Sequence, residues 1–221
     1  MKKILLILSF LITSLMLVSC QTDATWNQDE LRLNNPHNDI YYQVFIRSFA
    51  DSDNDGIGDF NGVTNNLDYI KSLGVTAIWM LPYNLTNDDF LAYHGYHIKD
   101  YCQVNPEYGT MEDLENLIKE ANKLGIKIVM DLVINHTADT HPWYIDAKSS
   151  LSSEFRDYYI WTTDTNAFES FPGGMKDLNL DNKLVVDEIK NIMSYWIDKG
   201  ISGFRFDAAK HLFIGNPGTN P

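Results

Sequence analysis

Residues 110–136 read TMEDLENLIKEANKLGIKIVMDLVINH. Thr110-Met-Glu-Asp113 has the form of a capping box. Leu114, Leu117, Ile118, Ala121 and Leu124 then recur at helical spacing and form one apolar stripe, which Gly125 stops. Ile126 to Val133 is a short apolar run rich in β-branched residues, the signature of a strand buried on both faces. A helix that ends in glycine and passes straight into a buried strand is the αβ step of a parallel sheet.

The step repeats along the chain. Ile40–Ile46 (IYYQVFI) reads as a strand. Val63, Leu67, Ile70 and Leu73 lie on one helical face that ends at Gly74, and Val75–Leu81 (VTAIWML) is a second strand, stopped by Pro82. Val185, Ile189, Ile192, Met193 and Trp196 predict a helix over 184–199, ended by Gly200 and followed by a fourth strand over 201–206. The helix-to-strand links are one or two residues long, whereas the long segments (47–62, 82–109 and 134–182) all follow strands. Elaboration confined to the carboxyl ends of the strands is the pattern of a (β/α)8 barrel. An open doubly wound sheet shows the same alternation. The expected fold is α/β: about four βα units forming the first half of a (β/α)8 TIM barrel over 39–136 and 183–221. A small subdomain, 137–182, is inserted after the third strand.

The chain has 221 residues and a net charge of −13. Lys2 and Lys3 precede an apolar run, Ile4–Val18, which reads as a secretory signal over 1–19. Leu17-Val18-Ser19-Cys20 is similar to a bacterial lipobox, with Cys20 lipidated, 20–38 a polar tether and the protein anchored to a membrane outside the cytoplasm. Removal of 1–19 takes away two lysines, so −13 becomes −15. So acidic a surface disfavours nucleic acid and anionic membrane faces, and suits a neutral ligand or a cation. With Cys20 lipidated, Cys102 is expected as a buried apolar residue with no intramolecular disulfide.

Four segments carry chemistry. Asp51-Ser-Asp53-Asn-Asp55-Gly-Ile57-Gly-Asp59 sets carboxylates at alternating positions around a glycine, as a calcium loop does: four aspartates and the Ile57 carbonyl supply hard oxygen ligands. Gly62 in place of a twelfth-position glutamate, and a strand in place of an entering helix, separate it from an EF-hand. An acidic solvated turn is the alternative. Ala92-Tyr-His-Gly-Tyr96 puts aromatics and histidine beyond the second strand, suited to the flat face of a sugar or to a loop's own small core. Asp131, Val133 and Asn135 alternate toward one side at the end of the third strand, with His136 next. In Gly203-Phe-Arg205-Phe-Asp207, Arg205 and Asp207 share one side of the fourth strand, with Phe204 and Phe206 on the other. That pair is either a structural ion pair or a carboxylate kept ionised for attack.

Together these stretches resemble the α-amylase family of retaining α-glucosidic enzymes, over about residues 40–211. The resemblance implies that Asp207 is the nucleophile and Arg205 its charge partner, and that Tyr96 stacks on the sugar. His136 would contact sugar hydroxyls, and Lys210 and His211 the leaving-group side. It places one Ca2+ in the Asp51–Asp59 loop. A second would be held by Asn135, Asp177 of Met175-Lys-Asp177-Leu-Asn179, and the His211 carbonyl. It implies hydrolysis of α-1,4 bonds in starch or maltodextrins. An oligo-α-glucosidase of the same family and a non-catalytic glucan-binding surface lipoprotein are the alternatives. The chain departs from the family in His97, where GYD is common, and in Lys176, where proline is common. The acid/base glutamate of the family follows a fifth strand and its second aspartate a seventh, so these 221 residues are expected to be inactive on their own.

Overall fold

The computed structural model describes residues 39–86 and 90–212. In chain order its elements are β1 (Tyr41–Val44), α1 (Ile46–Phe49), α2 (Phe60–Asn65), α3 (Leu67–Ser72), β2 (Ala77–Met80), β3 (Asn84–Thr86), β4 (Ile98–Val104) and α4 (Met111–Lys123). There follow β5 (Lys127–Leu132), β6 (His136–Ala138), α5 (Pro142–Ser149), β7 (Trp161–Thr163), β8 (Asn166–Ala167), β9 (Met175–Asp177), α6 (Lys183–Asp198) and β10 (Gly203–Phe206). The signal, the lipidated Cys20 and the tether lie outside the described residues, as do 213–221. Among the described residues no helix is long and apolar enough to cross a membrane.

The four expected strands form one parallel sheet in the order β1-β2-β5-β10. Helix α4 is set by the capping box read from sequence: the Thr110 hydroxyl accepts from the Asp113 N–H, and Asp113 accepts from the Thr110 N–H. Its stripe of Leu114, Leu117, Ile118 and Ala121 is buried against the sheet with Ile128, Met130, Ile192 and Trp196. Each of these leucine, isoleucine and methionine side chains contributes about 1.5–3 kcal/mol on burial.

The single helix expected over 63–73 is instead two, α2 and α3, divided at Asn66. Asn66 Nδ2 donates to the Gly62 carbonyl at 2.8 Å, so a side-chain amide competes with the backbone and breaks the ladder. The first helix also begins earlier, at Phe60, because Asp59 caps it by accepting from the Gly62 N–H at 2.6 Å. A second correction concerns Cys102. It is buried in β4 and disulfide-bonded rather than a reduced apolar residue, and among the described residues no cysteine is free.

The residues between β5 and α6 have a small core of their own. Tyr144, Ala147, Tyr159, Ala167 and Leu178 pack there on Val185 and Ile189 of α6. Tyr101 of β4 ties this region to the sheet. Its carbonyl accepts from Asn84 Nδ2 at 2.6 Å and from Trp196 Nε1 at 2.9 Å. Its hydroxyl donates to the Val133 and His136 carbonyls at 2.8 and 3.2 Å.

Candidate active site

The carboxyl ends of β2, β5 and β10, with the segment before β4, bring a set of polar side chains together. Register explains the centre. Arg205 is the direct partner of Asp131 across the parallel pair, so both side chains leave the same face. Arg205 Nη1 reaches Asp131 Oδ1 and Oδ2 at 3.2 and 3.0 Å and Asp207 Oδ1 at 2.7 Å. One guanidinium thus bridges two carboxylates, and it lies 4.7 Å from the centre of the Trp79 ring. Trp79 Nε1 and the Tyr96 hydroxyl each donate to Asp131 Oδ2 at 3.2 Å.

Asp131 is buried, and burial raises its carboxyl pKa against the pull of Arg205. Asp207 stays partly open, with 30% of its side chain exposed. Ala208 ends the strand directly after Asp207 with φ 54°, a left-handed conformation in a residue that is not glycine. Such outliers cost about 1–3 kcal/mol and cluster at functional sites. The turn sends Ala209–His211 into a short 3₁₀ segment, where Lys210 is exposed and the His211 ring lies 5.0 Å from that of Phe171.

Tyr96 enters the site from a loop that only glycine could form. Gly95 has φ 87°, and a Cβ there would stand 2.4 Å from the Pro82 carbonyl oxygen. Burial, then the Asp131 carboxylate, raises the Tyr96 phenol pKa, so the ring stays a neutral donor. His136 Nε2 contacts the Tyr96 carbonyl oxygen at 3.1 Å and His136 Nδ1 contacts Asn135 Nδ2 at 3.2 Å. Burial lowers the His136 pKa to about 4.

Asp177 pairs with His136 across β9 and β6. It accepts from Ser170 N–H at 2.9 Å and Ser170 Oγ at 2.6 Å, and bonds Asn135. Burial raises its pKa. Asn135 and Asp177 are therefore adjacent, with His211 close enough to act on Asp177 electrostatically. Lys176, whose charge beside Asp177 was a departure from the family pattern, points elsewhere: it bonds Glu169 and, at 3.2 Å, Asn166 Oδ1. Strand alternation separates the cation from the candidate ligand.

In the acidic loop, Asp51, Asp53 and Asp59 bring ligand oxygens within 4.8 Å of one another. Asp51 accepts from the Asp53, Asn54 and Gly56 N–H groups and Asp59 from those of Ser52 and Gly62, so the backbone is wound around the carboxylates. Three carboxylates this close fit a hard cation. Asp55 is not part of that group; its Oδ1 accepts from the Ile57 N–H at 2.7 Å, while the Ile57 side chain packs on the main core. Gly62 stands where an EF-hand has glutamate because a Cβ there would lie 2.0 Å from the Ala50 carbonyl oxygen.

The resemblance assigned no role to Asp131 or Trp79, although both anchor Arg205. In the sequence Asp131 stands out only as part of a strand-end trio. The signal for pairing it with Arg205 is cross-strand register, which one strand read alone does not carry.

Residues 43–220 match the family described as "Alpha amylase, catalytic domain". The chain is 48% identical over 190 residues to "Alpha-amylase 3" of Dictyoglomus thermophilum, covering 80% of this chain and 37% of that protein. It is 41% identical over 199 residues to "Probable oligo-1,6-glucosidase 3" of Bacillus subtilis, covering 78% and 35%. Among solved structures, an α-amylase from H. orenii superposes with a TM-score of 0.71 at 40% identity, over 81% of this chain and 41% of that one. The chain therefore spans little more than a third of the length of the relatives it matches.

Proposed function

The chain belongs to the α-amylase catalytic-domain family, and from that premise we propose that it carries the nucleophile half of a retaining α-glucosidic hydrolase acting on α-1,4 bonds in starch or maltodextrins. The observation that carries this reading is the Asp131–Arg205–Asp207 bridge, with Tyr96 bonded to Asp131. Arg205 engages Asp207 through Oδ1, so Oδ2 is the oxygen that attacks the anomeric carbon. Asp131, buried and held by three side chains, fixes the guanidinium. Tyr96 offers the sugar a ring face, and Lys210 and His211 flank the leaving group. A second carboxyl must protonate the departing oxygen and later activate water, and the resemblance puts it beyond a fifth strand. Residues 20–221 alone are expected to release no reducing sugar from starch. Release that depends on Asp207 would contradict this.

The four-stranded parallel sheet serves as the first part of a (β/α)8 barrel in this reading, and 137–182 as the inserted subdomain. Asp51, Asp53 and Asp59 hold one Ca2+, and Asn135, Asp177 and the His211 carbonyl a second; bound calcium would fix the loops around the site. The acidic loop is expected to bind Ca2+ with a rise in melting temperature that Asp53→Asn diminishes; an unchanged melting temperature in saturating calcium counts against it. Cys20 is proposed as a lipid anchor outside the cytoplasm, a role its sulfur fills only where it is not disulfide-bonded, with an α-glucan as the partner. Identity of about two-fifths to oligo-1,6-glucosidases supports a second specificity, for α-1,6 bonds in short oligosaccharides.

An activated glucosyl fluoride tests the nucleophile directly, because fluoride departs without a proton from the acid/base. Attack by Asp207 Oδ2 forms a glycosyl ester at the anomeric carbon and releases fluoride. The expected result is a sugar-mass adduct on the peptide containing Asp207, absent in Asp207→Asn. An adduct on another carboxylate overturns the assignment.

A further inference from the structure

Two consecutive residues of β9 grip two consecutive residues of the loop that leads into it. Lys176 and Asp177 leave opposite sides of the strand. Lys176 Nζ is bonded to Glu169 Oε1 and, at 3.2 Å, to Asn166 Oδ1. Asp177 accepts from the N–H and the hydroxyl of Ser170 at 2.9 and 2.6 Å. The next loop residue is Phe171. Its ring stands 5.8 Å from that of His136 and 5.0 Å from that of His211. His136 opens β6 and His211 closes the 3₁₀ segment after β10, so Phe171 packs between two distant segments that both line the candidate site.

The Lys176 side chain is only 9% exposed, and its Nζ lies 5.4 Å from the centre of the Tyr144 ring in the small core. The partner carboxylate is engaged on both oxygens, because Glu169 Oε2 accepts from the Gly173 N–H at 3.2 Å. Gly173 and Gly174 reverse the loop with φ 112° and 94°, a region that glycine enters without steric cost. A Cβ on Gly174 would stand 3.2 Å from the Asp139 carboxyl. Glu169 therefore ties β9 to the turn in front of it, and a proline at position 176 has no side chain that could make that tie. A buried ion pair adds little net stability, since desolvation offsets the attraction, and its best-attested use is to select one arrangement of the chain. The arrangement selected here is that of residues 169–171, and with it the direction in which Phe171 projects.

We infer that Lys176 and Glu169 are positioning residues whose ion pair holds the 169–174 loop so that Phe171 stands between His136 and His211 and bounds the leaving-group side of the site. This rests on the reading of His211 as a leaving-group contact. The clasp matters because a displacement of about 1 Å in a positioning group can cost about 10²-fold in rate.

The test compares two leaving groups that both depart without a proton. Fluoride is a single atom, whereas dinitrophenolate is an aromatic ring that fills the leaving-group side. In the full-length protein, the double variant Glu169→Gln/Lys176→Met is expected to lose about tenfold more kcat/KM on dinitrophenyl α-glucoside than on α-glucosyl fluoride. Removing both charges together leaves the melting temperature near that of the parent, which separates positioning from loss of fold. A mutant cycle identifies the route: Phe171→Ala is expected to give the same selective loss, and adding it to the double variant no further loss. Equal losses on the two substrates, or losses that add in the cycle, overturn the clasp. The His211 ring resonances decide the clasp with no sugar transferred: in the double variant they are expected to move toward their Phe171→Ala positions, and resonances that stay at the parent positions overturn it. Asp207→Asn tests the nucleophile reading separately, since it should abolish release from both substrates and leave the His211 resonances where they are.

Discussion

Asp131 has no exposed side-chain surface, and its partner Arg205 keeps about a third of its own. The guanidinium therefore compensates a buried charge while holding a second carboxylate, Asp207, in the open. Removing one partner of a fully buried pair costs about 3–5 kcal/mol, and the exposure of Arg205 lowers that figure. Arg205→Met is expected to destabilise the fold by about 2 kcal/mol, through the uncompensated Asp131 rather than through Asp207. Chemical denaturation checks this, and Asp131→Asn in the Arg205→Met background should recover part of the loss. No recovery would mean that the pair contributes little. Arg205 and Asp207 were legible in the sequence because period two within one strand placed them together. The roles of Asp131 and Trp79 were not, because they depend on which residue of β5 stands opposite Arg205.

At the level of single elements, helix ends were the most readable feature and their sharing of roles the least. The capping box at Thr110 was found as written, since its four residues are contiguous. The break at Asn66 was missed because the apolar stripe of 63–73 continues across it, and only a side-chain bond to Gly62 interrupts the ladder. Helix α5 carries an unusual cap, His141, whose Nδ1 accepts from the Trp143 N–H at 3.1 Å. Burial lowers the His141 pKa to about 3. A depressed histidine is neutral in the folded state where the unfolded chain binds a proton, so its contribution is complete above pH ~6.5 and is lost as pH falls below that. Stability should fall by about 1.4 kcal/mol per pH unit from this group between pH ~6.5 and its folded pKa. His141→Asn keeps a cap acceptor and does not titrate, so it should flatten that part of the profile. An unaltered slope in urea melts at pH 5 and pH 6 would refute the assignment.

At the scale of the whole molecule, the described sheet has β1 and β10 as its outer strands. Tyr41 and Phe206 stand exposed along them, and Ile40 directly before β1. Parallel strands of this apolar character are ordinarily covered on both faces, and an uncovered edge recruits other strands. A polypeptide limited to residues 39–212 is expected to self-associate, with an apparent mass that rises with concentration in sedimentation experiments; a monodisperse monomer across the range would speak against it. The parallel order and the crowding of polar groups at one end were visible from the repeat alone. The interlock among distant segments was not, because no spacing announces that the Tyr101 carbonyl is shared by Asn84 and Trp196. That shared carbonyl has a consequence for biosynthesis. Trp196 follows Tyr101 by 95 residues, which a ribosome takes roughly 5–20 s to add. Through that interval the nascent chain holds β4 with its bond to α6 unmade, so chaperones and proteases meet the Tyr101 carbonyl before the tryptophan that closes on it has been synthesised.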